Sequence, residues 1–217
     1  MSAPHVTAPM VGRKLASAPL PTRWGAFECM VFEGVGVHGD DAPREHVVMV
    51  RGDLRGVDGA LVRIHSECLT SEVMGSLKCD CREQLELALQ AVAAEGVGAV
   101  IYLRQEGRGI GLAAKIRAYA LQAEGVDTVD ANRALGLPDD ARRYEAAAEV
   151  LGLLGVRSVR LLTNNPAKAQ SLEALGVQVL ETVPVVVAPT AWSGPYLEAK
   201  RLRMDHSLPA HPLPVID

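Results

Sequence analysis

Three of the chain's four cysteines, Cys68, Cys79 and Cys81, fall within fourteen residues. The spacing is Cys-x10-Cys-x-Cys. On an extended segment Cys79 and Cys81 point to one face, so both thiolates reach a single tetrahedral zinc and Cys68 closes the set from a strand end. A fourth Cys or His at short spacing is missing, which leaves one position open to water, the arrangement of a catalytic rather than a structural site. The competing reading packs the Cys-x-Cys pair as small hydrophobes. It leaves the polar run His65, Ser66 and Glu67 at the end of an apolar strand without a purpose. Cys29, far from the trio in sequence, reads as a buried thiol with no role.

Two further stretches have the make-up of anion sites. Arg104-Gln-Glu-Gly-Arg-Gly-Ile-Gly-Leu is a polar turn between an apolar strand and a helix. Its glycine spacing fits neither a dinucleotide fingerprint nor a P-loop. Two arginines beside a helix N-terminus nevertheless suit phosphate, although a flexible loop with solvated arginines fits the same residues. In Thr163-Asn-Asn-Pro-Ala-Lys168, Asn164 or Asn165 caps a helix, Pro166 takes its first position and Lys168 supplies charge. Between the two stretches, Asp139 or Asp140 is expected to cap a helix running to Leu154, with Arg142, Arg143 and Tyr144 in its first turn. Arginine there opposes the helix dipole and hints at an anion nearby.

These groups need a scaffold, and the chain's patterning supplies one. Two antiparallel strands flank a Gly-rich, acidic loop at 34 to 44, and Ala60 to His65 is a third strand. A loop at 69 to 78 follows. Residues 82 to 95 show helical spacing stopped by Gly96, and Val97 to Leu103 is a near-continuous apolar run, the signature of a strand covered on both faces. A helix over about 112 to 124, an irregular stretch at 128 to 137, and strands at 159 to 162 and 176 to 180 complete the regular part, apart from Tyr196 to Met204. The fold class is therefore α/β (α+β), a mixed sheet with helices packed on it. A single catalytic domain is expected over 22–204, between a Pro-rich mobile arm at 1–21 and a Pro-rich tail at 205–217. At 217 residues, 48% hydrophobic, the chain can bury a real core. A net charge of −4 argues against a nucleic-acid coat. No apolar run approaches the roughly 20 residues of a membrane span, and the cysteine usage fits a reducing cytoplasm.

Taken together, Val62-Arg-Ile-His-Ser-Glu-Cys-Leu-Thr, Leu77-Lys-Cys-Asp-Cys, Arg104-Gln-Glu-Gly-Arg-Gly-Ile-Gly-Leu, Lys115-Ile-Arg-Ala-Tyr-Ala-Leu-Gln and Leu162-Thr-Asn-Asn-Pro closely resemble GTP cyclohydrolase II, over about Thr22 to Met204. The resemblance implies opening of the guanine ring of GTP with release of formate and pyrophosphate. The product would be 2,5-diamino-6-(5-phosphoribosylamino)pyrimidin-4(3H)-one, in the first step of riboflavin synthesis. The dihydroxybutanone phosphate synthase domain often fused to such enzymes would not fit in 217 residues. By resemblance Cys68, Cys79 and Cys81 hold zinc, Tyr119 assists the base chemistry, Asp140 accepts a proton, and Arg142 acts at the α-phosphate. A guanidinium with pKa above about 12 is a poor nucleophile, so Arg142 suits holding charge as pyrophosphate leaves. GTP would be lined by Arg63, Ile64, His65, Ser66, Glu67, Gln84, Glu106, Gly107, Arg108, Thr128, Thr163 and Lys168, with magnesium on its phosphates, in a homodimer. Three thiolates leave a zinc site net negative, so neighbouring groups must help move the proton of the attacking water. Competing expectations are a variant that stops at the formamidopyrimidine, one serving a specialised pathway, and a non-catalytic nucleotide binder. Intact cysteines, Tyr119, Asp140 and Arg142 favour an enzyme, and the presence of Tyr119 favours full turnover.

Overall fold

The computed structural model describes residues 11–34, 44–188, 190 and 192–203. Residues 1–10 of the expected arm, most of the acidic loop and the C-terminal tail lie outside the described residues. Seven strands form one sheet in the order β1-β2-β3-β5-β4-β6-β7. They are β1 (Val11–Thr22), β2 (Gly25–Gly34), β3 (Arg44–Arg51), β4 (Ala60–Ser66), β5 (Gly98–Leu103), β6 (Val159–Leu162) and β7 (Val179–Val183). The sheet is mixed. β1, β2, β3 and β5 pair antiparallel, whereas β5, β4, β6 and β7 run parallel.

The parallel half reads as apolar runs because helices cover both its faces. On one face, Val62 and Ile64 of β4, Ile101 of β5 and Leu161 of β6 pack with Val150 of α5 (Glu145–Leu153) and Leu172 of α6 (Pro166–Ala174). On the other, Leu61, Val100 and Leu162 pack with Ala88, Leu89 and Val92 of α2 (Cys81–Glu95). The alternation within β4 therefore decides function. Its even residues enter the larger core, while Arg63 and His65 share the α2 face with Leu61. From β4 the chain crosses to β5 on one side, and from β6 to β7 on the other. The carboxyl ends of β4 and β6 thus flank the crevice where ligands bind in open α/β sheets.

The remaining helices are α1 (Leu69–Glu72), α3 (Leu112–Ala123), α4 (Thr128–Ala134) and α7 (Gly194–Arg203). Several expectations need correction. Residues 11–21, expected as mobile arm, form β1, paired along its length with β2. Pro19 and Pro21 gave the arm reading, but β1 is an edge strand, where a missing N–H costs no ladder bond. The stretch expected to be irregular contains α4, and the loop at 69 to 78 contains α1. The helix expected from Asp139 or Asp140 starts only at Glu145. The N–H groups of residues 141, 142 and 143 donate instead to Arg108 O, Asp140 Oδ1 and Gln105 Oε1. Arg142 and Arg143 thus lie in an irregular strap before α5, and the argument from an opposing dipole falls.

Candidate active site

The cleft at the carboxyl ends of β4 and β6, taken together with the open solvent in its mouth, has an empty volume of about 1040 Å³. β4 delivers Arg63, His65 and Ser66 to it in sequence, Glu67 follows the strand, and Cys68 is the N-cap of α1. Arg63 is buried. It donates to Leu162 O at 2.8 Å and to Gln84 Oε1, while Gln84 in turn donates to Asp80 at the start of α2. Burial lowers the Arg63 pKa to about 10, which leaves the group charged at neutral pH. From β6, Thr163 Oγ1 accepts from Asn165 N at 3.0 Å, and the Asn165 side chain caps α6 by accepting from Ala167 N at 3.0 Å with Pro166 at the first position. Asn164 does not cap. It exchanges two hydrogen bonds with the backbone of Val185. Lys168, in the first turn of α6, is buried in the cleft wall, donates to Ile64 O at 2.8 Å and sits 5.6 Å from the Tyr144 ring centroid. Ile64 itself turns into the core and is not among the cleft-lining residues.

The three cysteines meet. Their sulfurs lie within 4.8 Å of one another, with 3.6 Å between Cys68 Sγ and Cys79 Sγ. Tetrahedral thiolates at about 2.3 Å from a zinc ion stand about 3.8 Å apart, so the trio fits that ion with little adjustment. The segment carrying the pair is not extended as expected, for Cys79 ends a turn and Cys81 opens α2, where the helix dipole favours a thiolate. Hydrogen bonds from Cys79 and Cys81, helped by Lys115, hold the Cys68 thiol far below its ordinary pKa; the same crowding pushes Cys79 and Cys81 up. Three thiols this close cannot all ionise without a cation among them. Lys115 on α3 donates to Cys68 Sγ at 3.1 Å and to Glu106 Oε1 at 2.7 Å. Burial opposes its charge, but the Cys68 thiolate and Glu106 prevail and raise its pKa.

The Gly-rich turn joins the two halves. It forms a 3-10 turn at Glu106–Gly109, with Gly107 and Arg108 left-handed at φ of 62° and 58°. Glu106 Oε2 accepts from Leu69 N at 2.7 Å, which fixes the turn against the residue after Cys68. Arg108 O accepts from Ala141 N at 3.0 Å, which fixes it against the strap. That strap carries Arg142 into the cleft, its guanidinium donating from Nε and Nη2 to both Asp140 oxygens. Burial raises the Asp140 pKa, yet the Arg142 hydrogen bonds outweigh it and hold the carboxyl below its ordinary value. Asp140 is not among the cleft-lining residues, so it meets the site through Arg142. Tyr119 on α3 lines the cleft, its ring 5.1 Å from Lys78 Nζ and 5.7 Å from Lys115 Nζ. Thr128 opens α4, but its side chain lies outside the described residues.

Sequence reasoning passed over several lining or bridging residues, among them Lys115, Gln105 and Asn132. Lys115 stood inside a quoted motif, yet nothing in the spacing marks it as a partner of Cys68. Buried Gln105 donates to Ser66 Oγ at 3.0 Å and accepts from Arg143 N at 3.1 Å, so it ties β4 to the strap. Asn132 of α4 is buried and lines the cleft, and it fell in the stretch expected to be irregular.

Residues 13–184 match the family model described as GTP cyclohydrolase II. The chain belongs to the GTP cyclohydrolase II family. It is 47% identical over 191 residues to the GTP cyclohydrolase-2 of Picrophilus torridus, covering 88% of this chain and 96% of that one. It is 50% identical over 192 residues to the GTP cyclohydrolase-2 of Neisseria meningitidis, covering 88% and 94%. The riboflavin biosynthesis protein RibBA of Rhodococcus jostii is 52% identical over 200 residues, of which this chain spans 47% of the length and is itself covered to 90%. GTP cyclohydrolase II is thus the frame in which the cleft is read.

Proposed function

We propose that the chain hydrolyses GTP, opening the guanine imidazole ring with loss of formate and pyrophosphate, as the first step of riboflavin biosynthesis. One observation carries the reading: a cysteine trio and a cationic wall of Arg63, Arg108, Arg142 and Lys168 share one cleft. Base chemistry belongs to the first and phosphate chemistry to the second. Cys68, Cys79 and Cys81 would hold the zinc, which would supply Lewis acidity toward water at neutral pH. Lys115 answers the surplus negative charge of three thiolates, since its ammonium donates directly to Cys68. Tyr119 serves proton transfer at the base, a role that its position in the wall beside both lysines supports. Arg142, a guanidinium held in an ion pair with Asp140, stabilises charge on the departing pyrophosphate rather than attacking phosphorus. Asp140 orients that guanidinium, a role its contacts support better than proton acceptance. Magnesium accompanies the phosphates, and a cytoplasmic homodimer is the expected setting.

The division of labour is testable through Tyr119→Phe, which keeps the ring surface and deletes one hydroxyl. GTP binding should persist, deformylation should slow by about 10²–10⁴-fold, and a formylated pyrimidine should accumulate in quenched time courses. Normal formate yield with nothing trapped would make the hydroxyl structural.

A further inference from the structure

The cleft wall beside the cysteines holds a three-residue arrangement in which Glu72 and Tyr102 have no assigned part. The His65 ring lies in that wall, buried, with Nε2 2.7 Å from Glu72 Oε1. Tyr102 donates from its hydroxyl to Glu72 Oε2 at 2.5 Å, and its ring stacks on His65 with centroids 5.7 Å apart and planes at 17°. Both Glu72 oxygens are thereby engaged. A carboxylate accepts only, so the nitrogen facing Glu72 carries the imidazole proton. The other nitrogen, Nδ1, is buried without a hydrogen-bond partner among the described residues. Leaving such an atom unmet costs about 1–3 kcal/mol, a cost that folding alone gives no reason to bear.

We propose that Glu72 and Tyr102 are positioning residues that lock His65 with Nε2–H toward Glu72, leaving Nδ1 as the proton acceptor for the water that opens the guanine ring. The inference rests on the reading that this cleft hydrolyses GTP. In the step, an O–H bond of water breaks and its proton passes to the Nδ1 lone pair. The oxygen bonds to the ring carbon, and the C=N electron pair moves onto the ring nitrogen. The Glu72 carboxylate balances the imidazolium, which then returns its proton to that nitrogen. A carboxylate that orients an imidazole and offsets its charge is how histidine bases work in unrelated hydrolases. Burial, with Arg63 and Lys168 nearby, lowers the His65 pKa against the opposing hydrogen bond to Glu72, so the ring is neutral and able to accept.

The full chain labelled with ¹⁵N-histidine tests the arrangement directly, with the His65 signals assigned by their loss in His65→Gln. The expected spectrum shows the neutral Nε2–H tautomer at neutral pH; an Nδ1–H tautomer or an imidazolium overturns the proposal. In turnover with GTP, His65→Gln should lose about 10²–10⁴-fold in kcat and Glu72→Gln about 10²-fold, with KM little changed. Tyr102→Phe, which removes one hydrogen bond, should lose about five-fold and keeps the test open where Glu72→Gln does not fold. Zinc content is measured for every variant. Losses confined to KM, losses that track zinc content, or an unchanged kcat in Glu72→Gln each contradict the assignment. A wild-type chain that releases no formate from GTP defeats the functional reading instead, and the tautomer result distinguishes that case.

Discussion

Arg142 shows how much one side chain's meaning depends on its partner. Its bidentate pairing with Asp140 fixes where the charge points, and the pair is partly buried, so the geometry outlasts solvent screening. Asp140→Asn should keep the fold and most GTP affinity while lowering kcat by about 10–100-fold, because a positioned guanidinium becomes a mobile one. Arg142→Ala should lose pyrophosphate release almost entirely. Lys168→Ala should chiefly raise KM, since a point charge binds without orienting. Steady-state rates of pyrophosphate release separate these cases, and equal effects on KM and kcat at all three positions would refute the division. At this scale the sequence was informative about identity and silent about contact. Cysteine spacing pointed to three thiols that do meet in the fold, as a group that could hold a metal ion. The approach of Lys115 to Cys68 spans 47 positions, and only the packing of α3 against the strand ends creates it.

The elements best read in advance were those whose periodicity reports burial directly. β4, β5, β6 and α2 carry apolar patterns set by the two cores they enter, so they were found close to their true limits. The strap at 139–144 was misread because Asp followed by an amphipathic stretch is also what a capped helix looks like. Its N–H groups are claimed by Arg108, Asp140 and Gln105, partners invisible in local sequence. Gly109 is the seam of that contact. Its φ is +89°, and an added Cβ would lie 2.7 Å from Ala141 O. Gly109→Ala should therefore cost about 2–3 kcal/mol by left-handed strain and displacement of the strap, and kcat should fall with it as Arg142 moves. Urea midpoints and turnover measured together decide this, and an unchanged kcat would free the strap from the Gly-rich turn.

Across the whole molecule, the class of fold, the site's place at the strand ends and the antiparallel pair β2–β3 followed from the apolar patterning, but β1, which carries the antiparallel extension to the sheet's edge, did not. β1 was lost to its prolines, whose cost vanishes at an edge that sequence alone does not reveal. That extension brings its own titration. His46 on β3 is buried with Nδ1 accepting from Arg104 N at 3.1 Å. Burial, then Arg104 and Arg44, lowers its pKa from 6.5 to about 4. The unfolded chain therefore binds this proton more readily than the folded one. Stability is undiminished above about pH 6.5 and is lost as pH falls toward about 4, by about 3 kcal/mol in all. His46→Gln should flatten urea midpoints over that window; a slope equal to the wild type would place the titration elsewhere.

The central claim is that the cysteine trio and the cationic wall act on one GTP. Zinc-loaded protein is incubated with GTP and magnesium, and formate, pyrophosphate and the mass of the nucleotide product are followed together, beside Cys79→Ser with its zinc content measured. The account expects formate and pyrophosphate in equal amounts, a diaminopyrimidinone ribosyl phosphate as product, and loss of both zinc and formate release in the variant. Intact GTP after prolonged incubation of the zinc-loaded wild type, or formate release by a Cys79→Ser protein that retains its zinc, would contradict it.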